Sequence, residues 1–216
     1  MDSEARLRET MCRLAQSIYD RGLTHGSTGN ISARTEDGGV LVSPTGSSFG
    51  RLDPGQLARF DAAGRHVDGP APTKEMPLHR AFYDTRRGTG AVVHLHSTHS
   101  VALSTLPEVD EDDFLPHLTP YAIMQLGQVK LLPYFRPSDA AMGDAVRALN
   151  GRRAAVMLAN HGPVVAGRTV EAACNAIEEL EATARLALLL RGLPARLLTD
   201  AQVADLVHIH KIEWGT

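Results

Sequence analysis

Two histidines stand two residues apart, as His94 and His96, in the apolar run AVVHLHS. Side chains alternate between the faces of a strand, so residues two apart point the same way, about 6–7 Å from each other. Two imidazoles on one side of a strand can bind a single cation, because histidine is the commonest metal ligand. Alternatively, both rings are buried and hydrogen-bonded for structural reasons, and the spacing alone leaves the two interpretations equally open.

A third histidine, His161, stands at the apex of the segment ANHGP. Three histidines with an open coordination position are the ligands of a catalytic site for zinc or a similar divalent ion. A histidine before a glycine can instead hydrogen-bond the backbone of a turn, and that alternative stays open. Glu75 in PTKE is the best carboxylate for acid-base work, although the helix dipole alone also favours a glutamate in a first turn.

Two segments rich in glycine and hydroxyl groups, GSTGN (26–30) and SPTGSS (43–48), are typical of anion-binding loops. Their backbone N–H groups and hydroxyl side chains can surround a phosphate. PTKE opens a helix whose first N–H groups can face the same anion. For either loop taken alone, an ordinary hairpin turn is the favoured interpretation.

These residues have to be positioned by interleaved strands and helices. Apolar periodicity predicts buried strands at AVVHLHS and on both sides of Asn160-His161-Gly162. Because tight turns join several strand pairs, the sequence predicts a three-layer αβα fold with a mixed, largely antiparallel sheet flanked by helices. The helices are predicted at 7–18, 75–84, 101–106, 138–149 (capped by Ser138), 170–191 (capped by Thr169) and 200–210.

Composition excludes several other classes of protein. The chain has 216 residues, 43% hydrophobic and 22% charged, which excludes disorder and predicts one domain over residues 1–216. The net charge of -3 offers no basic excess for nucleic acid. The charged start is not a signal peptide, and no apolar run approaches the roughly 18 residues of a membrane span. Cys12 and Cys174 lack disulfide spacing, which predicts a reducing, cytoplasmic location.

Five motifs, taken in order, resemble the class II aldolase/adducin family: GNIS, SPTG, PTKE followed by PLHRAFY, AVVHLHS, and ANHGPVV. The resemblance covers about residues 7–191, and the ordered set is specific. Within the family, the chain is most similar to the branch of 3-oxo-tetronate 4-phosphate decarboxylases. The segments SPTGSS, PTKEMPLHRAFYDTR, VVHLHSTHSVALS and LLPYFRP carry that likeness.

The resemblance implies a class II aldolase-like fold and a homotetramer. It implies one Zn²⁺ per chain, with Mn²⁺ or Co²⁺ as alternatives, bound by His94, His96 and His161. Glu75 would be the catalytic acid-base residue and also a metal ligand. A tyrosine of a neighbouring subunit often assists protonation in the aldolases, and Tyr121 is the nearest candidate. The residues expected around the substrate phosphate are Gly29, Asn30, Thr45, Gly46, Thr73 and Lys74.

The reaction that the resemblance implies is decarboxylation of a 3-oxo-tetronate 4-phosphate to dihydroxyacetone phosphate and carbon dioxide, through a metal-stabilised enediolate. Glu75 would protonate that species, which calls for a raised pKa of its carboxyl. The alternative is a class II aldolase, epimerase or dehydratase acting on a ketose phosphate. Thr73 and Lys74 replace two serines common in the aldolases, which favours decarboxylation. A non-catalytic, adducin-like module is disfavoured because the histidines and Glu75 are all present.

The other histidines lack a defensible ligand spacing. His99 follows His94 by five residues and breaks the alternation, so a structural or surface role is favoured over a role beside the metal. No ligand spacing involves His25, His66, His79, His117, His208 or His210 either. Without the family resemblance, the residues predict only a metal enzyme for a small anionic substrate.

Overall fold

The computed structural model describes residues 3–214, which form an eight-stranded sheet with helices on both faces. The helices are α1 (Ser3–Asp20), α2 (Met76–Thr85), α3 (Thr98–Ser104), α4 (Pro120–Leu126), α5 (Ala141–Ala148), α6 (Val170–Leu190) and α7 (Asp200–His210). The strands are β1 (Asn30–Arg34), β2 (Val40–Val42), β3 (Ala58–Phe60), β4 (His66–Asp68), β5 (Ala91–His94), β6 (Lys130–Leu132), β7 (Ala155–Leu158) and β8 (Gly162–Gly167).

The strand order is β4-β3-β2-β1-β5-β8-β7-β6. Neighbouring strands are antiparallel except β6 and β7, which are parallel and joined through α5. Alternating side chains of the central strands bury both faces of the sheet. One face packs against α1, α3, α4 and α6, and the other against α2 and α5. The predicted three-layer, largely antiparallel architecture is confirmed.

Local chemistry explains most of the helix boundaries. Thr169 caps α6 as predicted, because its hydroxyl accepts a hydrogen bond from Ala172 N at 3.2 Å. The predicted cap at Ser138 is wrong. Ser138 has a φ of +64°, and α5 begins three residues later, where Asp139 Oδ1 accepts from Ala141 N at 3.0 Å.

The sequence patterns above do not predict α4. Its signal was present as Thr119-Pro120, an N-cap followed by proline at the first helical position. The Thr119 hydroxyl accepts from Ala122 N at 3.2 Å. Within residues 3–214, none of the helices has the length and apolar character needed to cross a bilayer.

Three strand ends meet at one edge of the sheet, and this places the site. β1 begins at Asn30, β5 ends at His94, and β8 begins at Gly162. Asn30 pairs with His94, and His94 pairs with Val164, so these antiparallel ends lie side by side. The chain segments that enter or leave these strands therefore carry their side chains into a common region.

Candidate metal centre

The three predicted histidine ligands converge beyond that edge. The ring centroid of His94 lies 4.9 Å from the centroid of His96 and 4.9 Å from that of His161. The centroids of His96 and His161 are 4.6 Å apart. His96 Nε2 lies 3.1 Å from His94 Nε2 and 3.1 Å from His161 Nε2. With Glu75, each residue offers one ligand atom, and these atoms lie within 4.8 Å of one another. The predicted metal group is therefore assembled.

The pairing of His94 and His96 takes a slightly different form from the predicted one. β5 ends at His94, so His96 lies outside the regular strand. Leu95 N still donates to Pro163 O at 3.2 Å, which keeps the chain extended by one more hydrogen bond. The two rings consequently reach the same side, as the alternation predicts.

Hydrogen bonding sets the tautomer of His94. Its Nδ1 lies 2.9 Å from the carbonyl oxygen of Pro163, which can only accept, so Nδ1 carries the proton. Nε2 is then the ring nitrogen that faces the other members of the group. A hydrogen bond on the far ring nitrogen is the usual way in which proteins orient a metal-binding histidine.

The other two rings are also suited to binding a cation. Burial, together with the charges of neighbouring histidines, lowers the pKa of His96 to about 3 and that of His161 to about 4. Both are therefore neutral at physiological pH, which is the form that binds a metal. The Nδ1 of His161 is buried without a hydrogen-bond partner among residues 3–214.

Glu75 immediately precedes α2 and is 8% exposed. Its Oε2 lies 3.5 Å from His94 Nε2, and its Oε1 lies 3.6 Å from His161 Nε2. No hydrogen bond joins these atoms, so the ring nitrogens and the carboxylate oxygens surround a common space in which a divalent ion would attract all of them. Three imidazole nitrogens and one carboxylate form a donor set that zinc commonly takes. The residues present therefore fit a divalent ion.

The electrostatics of Glu75 correct one expectation. Burial raises the pKa of its carboxyl, but the nearby charge of His94, a hydrogen bond from Asn30, and the charges of His161 and His96 together bring it below its ordinary value. The raised pKa expected for a proton donor is therefore not found. Glu75 is an anion at neutral pH in these surroundings.

The glycine-rich loops adjoin the metal group. Gly29 has a φ of +83°, and a Cβ there would lie 2.7 Å from His94 O, so the first loop packs directly on the end of β5. The second loop is tied to the segment before Glu75, since Thr45 N donates to Ala71 O at 3.0 Å. Thr45, Gly46 and Lys74 are exposed. Phosphate binding by these loops stays a prediction.

Thr73 and Asn30 use their side chains locally. The Thr73 hydroxyl accepts from Glu75 N at 3.2 Å. Asn30 is 5% exposed, and its Nδ2 donates to Glu75 Oε2 at 2.7 Å. One N–H of the Asn30 amide is used by Glu75, and its contribution to phosphate binding stays a prediction. Tyr121 lies in the first turn of α4 and is 61% exposed, so its participation from a neighbouring subunit stays a prediction.

Sequence reasoning missed His79. This ring is fully buried, its Nε2 contacts Asn30 Oδ1, and its Nδ1 lies 2.7 Å from Ser32 Oγ. A signal was available, because His79 follows Glu75 by four residues, one helical turn further along the same side of α2. His99 does not join the metal group, since its Nδ1 lies 2.7 Å from Glu181 Oε1, and the structural or surface role expected for it stays a prediction.

Comparisons with known proteins agree on the family. The model of the Class II Aldolase and Adducin N-terminal domain matches residues 9–188. A relative from Escherichia coli K12 named 3-oxo-tetronate 4-phosphate decarboxylase is 44% identical over 203 residues, which cover 94% of this chain and 96% of the relative. The L-fuculose phosphate aldolase of that strain is 30% identical over 203 residues, which cover 89% and 91%. The crystal structure of YgbL from Escherichia coli superposes with a TM-score of 0.92 at 42% identity, covering 95% of this chain and 99% of that one.

Proposed function

The chain belongs to the class II aldolase and adducin N-terminal domain family, and from this premise we propose that it is a 3-oxo-tetronate 4-phosphate decarboxylase. The observation that carries the proposal is the 44% identity to a decarboxylase over almost the whole of both chains. The assembled group of Glu75, His94, His96 and His161 supports it, because a binding module would not need these side chains.

The four side chains would hold one divalent ion in each chain, and Zn²⁺ is the first choice. His94, His96 and His161 would bind it through Nε2, with Glu75 as the fourth ligand when no substrate is present. Nitrogen-rich sites of this kind also accept Mn²⁺ or Co²⁺, so the donor set supports a divalent metal more strongly than one particular element.

The reaction breaks the bond between C1 and C2 of the substrate and releases C1 as carbon dioxide. The electron pair left at C2 delocalises onto the C3 carbonyl oxygen and gives an enediolate. A bound divalent ion supplies Lewis-acid polarisation of that carbonyl. One proton from solvent must then reach C2 to give dihydroxyacetone phosphate. Glu75 is the acid-base group beside the histidines. Because the pKa of its carboxyl is lowered, Glu75 would hold this proton only transiently during its transfer to C2.

The loops around Gly29 and Gly46, with Lys74, would bind the substrate phosphate through backbone N–H groups and one cationic side chain. Their contacts with the end of β5 and with the segment before Glu75 support this assignment. Phosphate bound there would fix the register of the reacting carbons relative to Glu75.

A homotetramer in the cytoplasm completes the proposal. Leu186 and Leu189 on α6 are 39% and 64% exposed, which supports a subunit contact along that helix. Cys12 and Cys174 are buried free thiols, a state that suits a reducing compartment. Tyr121 of a neighbouring subunit would assist protonation.

A retro-aldol reaction on a ketose phosphate is the second candidate. The L-fuculose phosphate aldolase of Escherichia coli K12 is 30% identical to the chain, against 44% for the decarboxylase. Both reactions create negative charge on a carbon beside a carbonyl, so the metal group alone does not separate them. The products do separate them.

The test incubates metal-loaded protein with 3-oxo-tetronate 4-phosphates and with ketose phosphates. We expect carbon dioxide and dihydroxyacetone phosphate in equal amounts from the former. In heavy water, one solvent deuterium should appear at the carbon that carried the carboxylate. Dihydroxyacetone phosphate formed together with an aldehyde, without carbon dioxide, would establish the aldolase instead.

A further inference from the structure

A continuous line of buried side-chain hydrogen bonds runs from α2 through β1 to Glu75. Tyr83 Oη lies 2.8 Å from Ser32 Oγ, and Ser32 Oγ lies 2.7 Å from His79 Nδ1. His79 Nε2 contacts Asn30 Oδ1, and Asn30 Nδ2 lies 2.7 Å from Glu75 Oε2. Ser32 and His79 are fully buried. Water therefore has no access to the middle of this line.

The direction of the hydrogen bonds follows from the Glu75 end. An ionised carboxylate only accepts, so the atom of Asn30 that faces it must be the amide nitrogen. The amide oxygen of Asn30 then faces His79, and that oxygen also only accepts. His79 Nε2 must therefore carry a proton.

The rest of the line continues behind the ring. His79 Nδ1 faces the Ser32 hydroxyl, which in turn faces the Tyr83 hydroxyl. With a single ring proton, on Nε2, Nδ1 accepts, so Ser32 donates to Nδ1 and Tyr83 donates to Ser32. Every donor in the line then points toward Glu75.

We propose that His79 is a positioning residue, which uses its Nε2–H to fix the Asn30 amide so that Nδ2 donates to Glu75. If the amide were free to rotate by half a turn, its oxygen would face the carboxylate and repel it. His79 prevents that orientation, because its protonated nitrogen would then face an amide N–H. The carboxylate is thereby held in one orientation beside the histidine nitrogens. The kinetic part of this proposal rests on the proposed function, whereas the tautomer does not.

The first test observes the tautomer directly. Nitrogen-15 NMR of the folded protein separates protonated from unprotonated ring nitrogens, and the His79→Gln spectrum assigns the signals of His79. We expect His79 to carry a proton on Nε2, both with zinc and after chelation. A proton on Nδ1 with none on Nε2 overturns the proposal without reference to any activity.

The second test separates positioning from a general structural role. His79→Leu should lower kcat by about tenfold or more, change KM less than threefold, and leave the bound metal unchanged. The substitution acts indirectly, because it removes the group that orients Asn30 for its charge-assisted hydrogen bond to Glu75. His79→Gln keeps a side-chain N–H and should recover most of kcat. A structural role would instead lower the folded fraction and leave the kcat of the remaining folded enzyme unchanged.

The matched control is His99→Leu, the same substitution at a histidine that also contacts a glutamate but lies outside this line. It should leave kcat and KM unchanged. Unchanged kcat in a folded, metal-loaded His79→Leu variant overturns the proposal. If that variant fails to fold, the kcat of His79→Gln and the tautomer seen by NMR decide instead. If the unaltered protein shows no decarboxylation, the proposed function fails, while the NMR result still decides the role of His79.

Discussion

Two buried glutamates of this chain lie beside histidines, and they differ in what surrounds their oxygens. Glu181, on α6, is 5% exposed, and Glu75 is 8% exposed. Glu181 accepts from His99 N at 2.9 Å and from Ser100 N at 2.8 Å, and it also contacts the Ser100 hydroxyl and His99 Nδ1. Each of these partners can bring a proton to the carboxylate. Glu181 consequently anchors the first turn of α3.

The oxygens of Glu75 have a different environment. Asn30 supplies one donor, and the remaining close neighbours are the Nε2 atoms of His94 and His161, at 3.5 Å and 3.6 Å. Neither ring nitrogen is hydrogen-bonded to the carboxylate, whereas His99 Nδ1 lies 2.7 Å from Glu181 Oε1. A histidine-glutamate pair therefore indicates a metal only where the two side chains face each other without a direct hydrogen bond. The residue types alone do not distinguish the two sites.

The largest expected effect concerns the metal. His94→Ala, His96→Ala and His161→Ala should each lose most of the bound ion, and activity with it. Changing residues that merely support a metal ligand typically costs ten- to a hundredfold in affinity, so removing a ligand should cost more. Elemental analysis after dialysis should find about one divalent ion per chain in the unaltered protein.

The Glu181 region supplies the control for this prediction. His99→Ala should retain the full amount of metal, because His99 Nδ1 faces Glu181. Full occupancy in the double variant His94→Ala, His96→Ala would remove the proposed metal centre. Loss of metal from His99→Ala would show that the two regions are not independent.

The next largest effect is on turnover. Glu75→Gln keeps the size of the side chain but removes its acid-base function, so turnover should fall about a hundredfold or more. Steady-state release of carbon dioxide measures this, with KM recorded alongside. Unchanged turnover would exclude Glu75 as the group that delivers the proton. Glu181→Gln is the matched change and should leave turnover within about threefold.

The outline of the fold and the approach of His94 to His96 could be predicted from sequence, because both depend on local periodicity. Alternation along AVVHLHS brought His94 and His96 to one side, and turn signals around His161 gave the adjacent hairpin. The predicted cap of α5 was wrong because Ser138 adopts a positive φ before the helix, and Asp139, one residue further along, accepts the hydrogen bond from Ala141 N. The choice depends on backbone dihedrals that the residue types do not encode.

The electrostatics of the site could not be predicted, because they depend on contacts between distant segments. Glu75 meets Asn30 across 45 residues of sequence, and Asn30 meets His79 across 49. Burial alone argued for a raised pKa of Glu75, and only the assembled neighbours reverse that direction. The same distant contacts give His79 its position behind Asn30.

Acid should destabilise the protein through the histidines around Glu75. The pKa values of His79, His96 and His161 are lowered to about 3, about 3 and about 4, whereas an unfolded chain protonates histidine near 6.5. As the pH falls below about 6.5, the unfolded state binds protons that the folded state does not bind. The free energy of unfolding therefore decreases from about pH 6.5 toward pH 4.

Urea titrations of chelator-treated protein at several pH values measure this slope. His79→Gln removes one of the three histidines with a lowered pKa. The dependence of its free energy of unfolding on pH should therefore be shallower by up to one proton per molecule. His99→Ala should leave the slope unchanged. A free energy of unfolding that stays constant from pH 6.5 to pH 4 would contradict the neutral, buried state of these histidines.

The smallest expected effect comes from Glu181→Gln. The change keeps the volume of the side chain but replaces a carboxylate oxygen by an amide nitrogen, which cannot accept from an N–H group. At least one of the hydrogen bonds from His99 N and Ser100 N should then be lost. Hydrogen bonds to charged groups contribute about 1.5–3 kcal/mol, so the free energy of unfolding should fall by about that amount. Metal content should stay at about one ion per chain, because the loosened turn of α3 follows His96 without contributing a ligand. Denaturant titration and elemental analysis of the same sample check both halves of the prediction. A variant that kept its stability but lost its metal would reverse the assignment, and would make Glu181 part of the metal centre through His96.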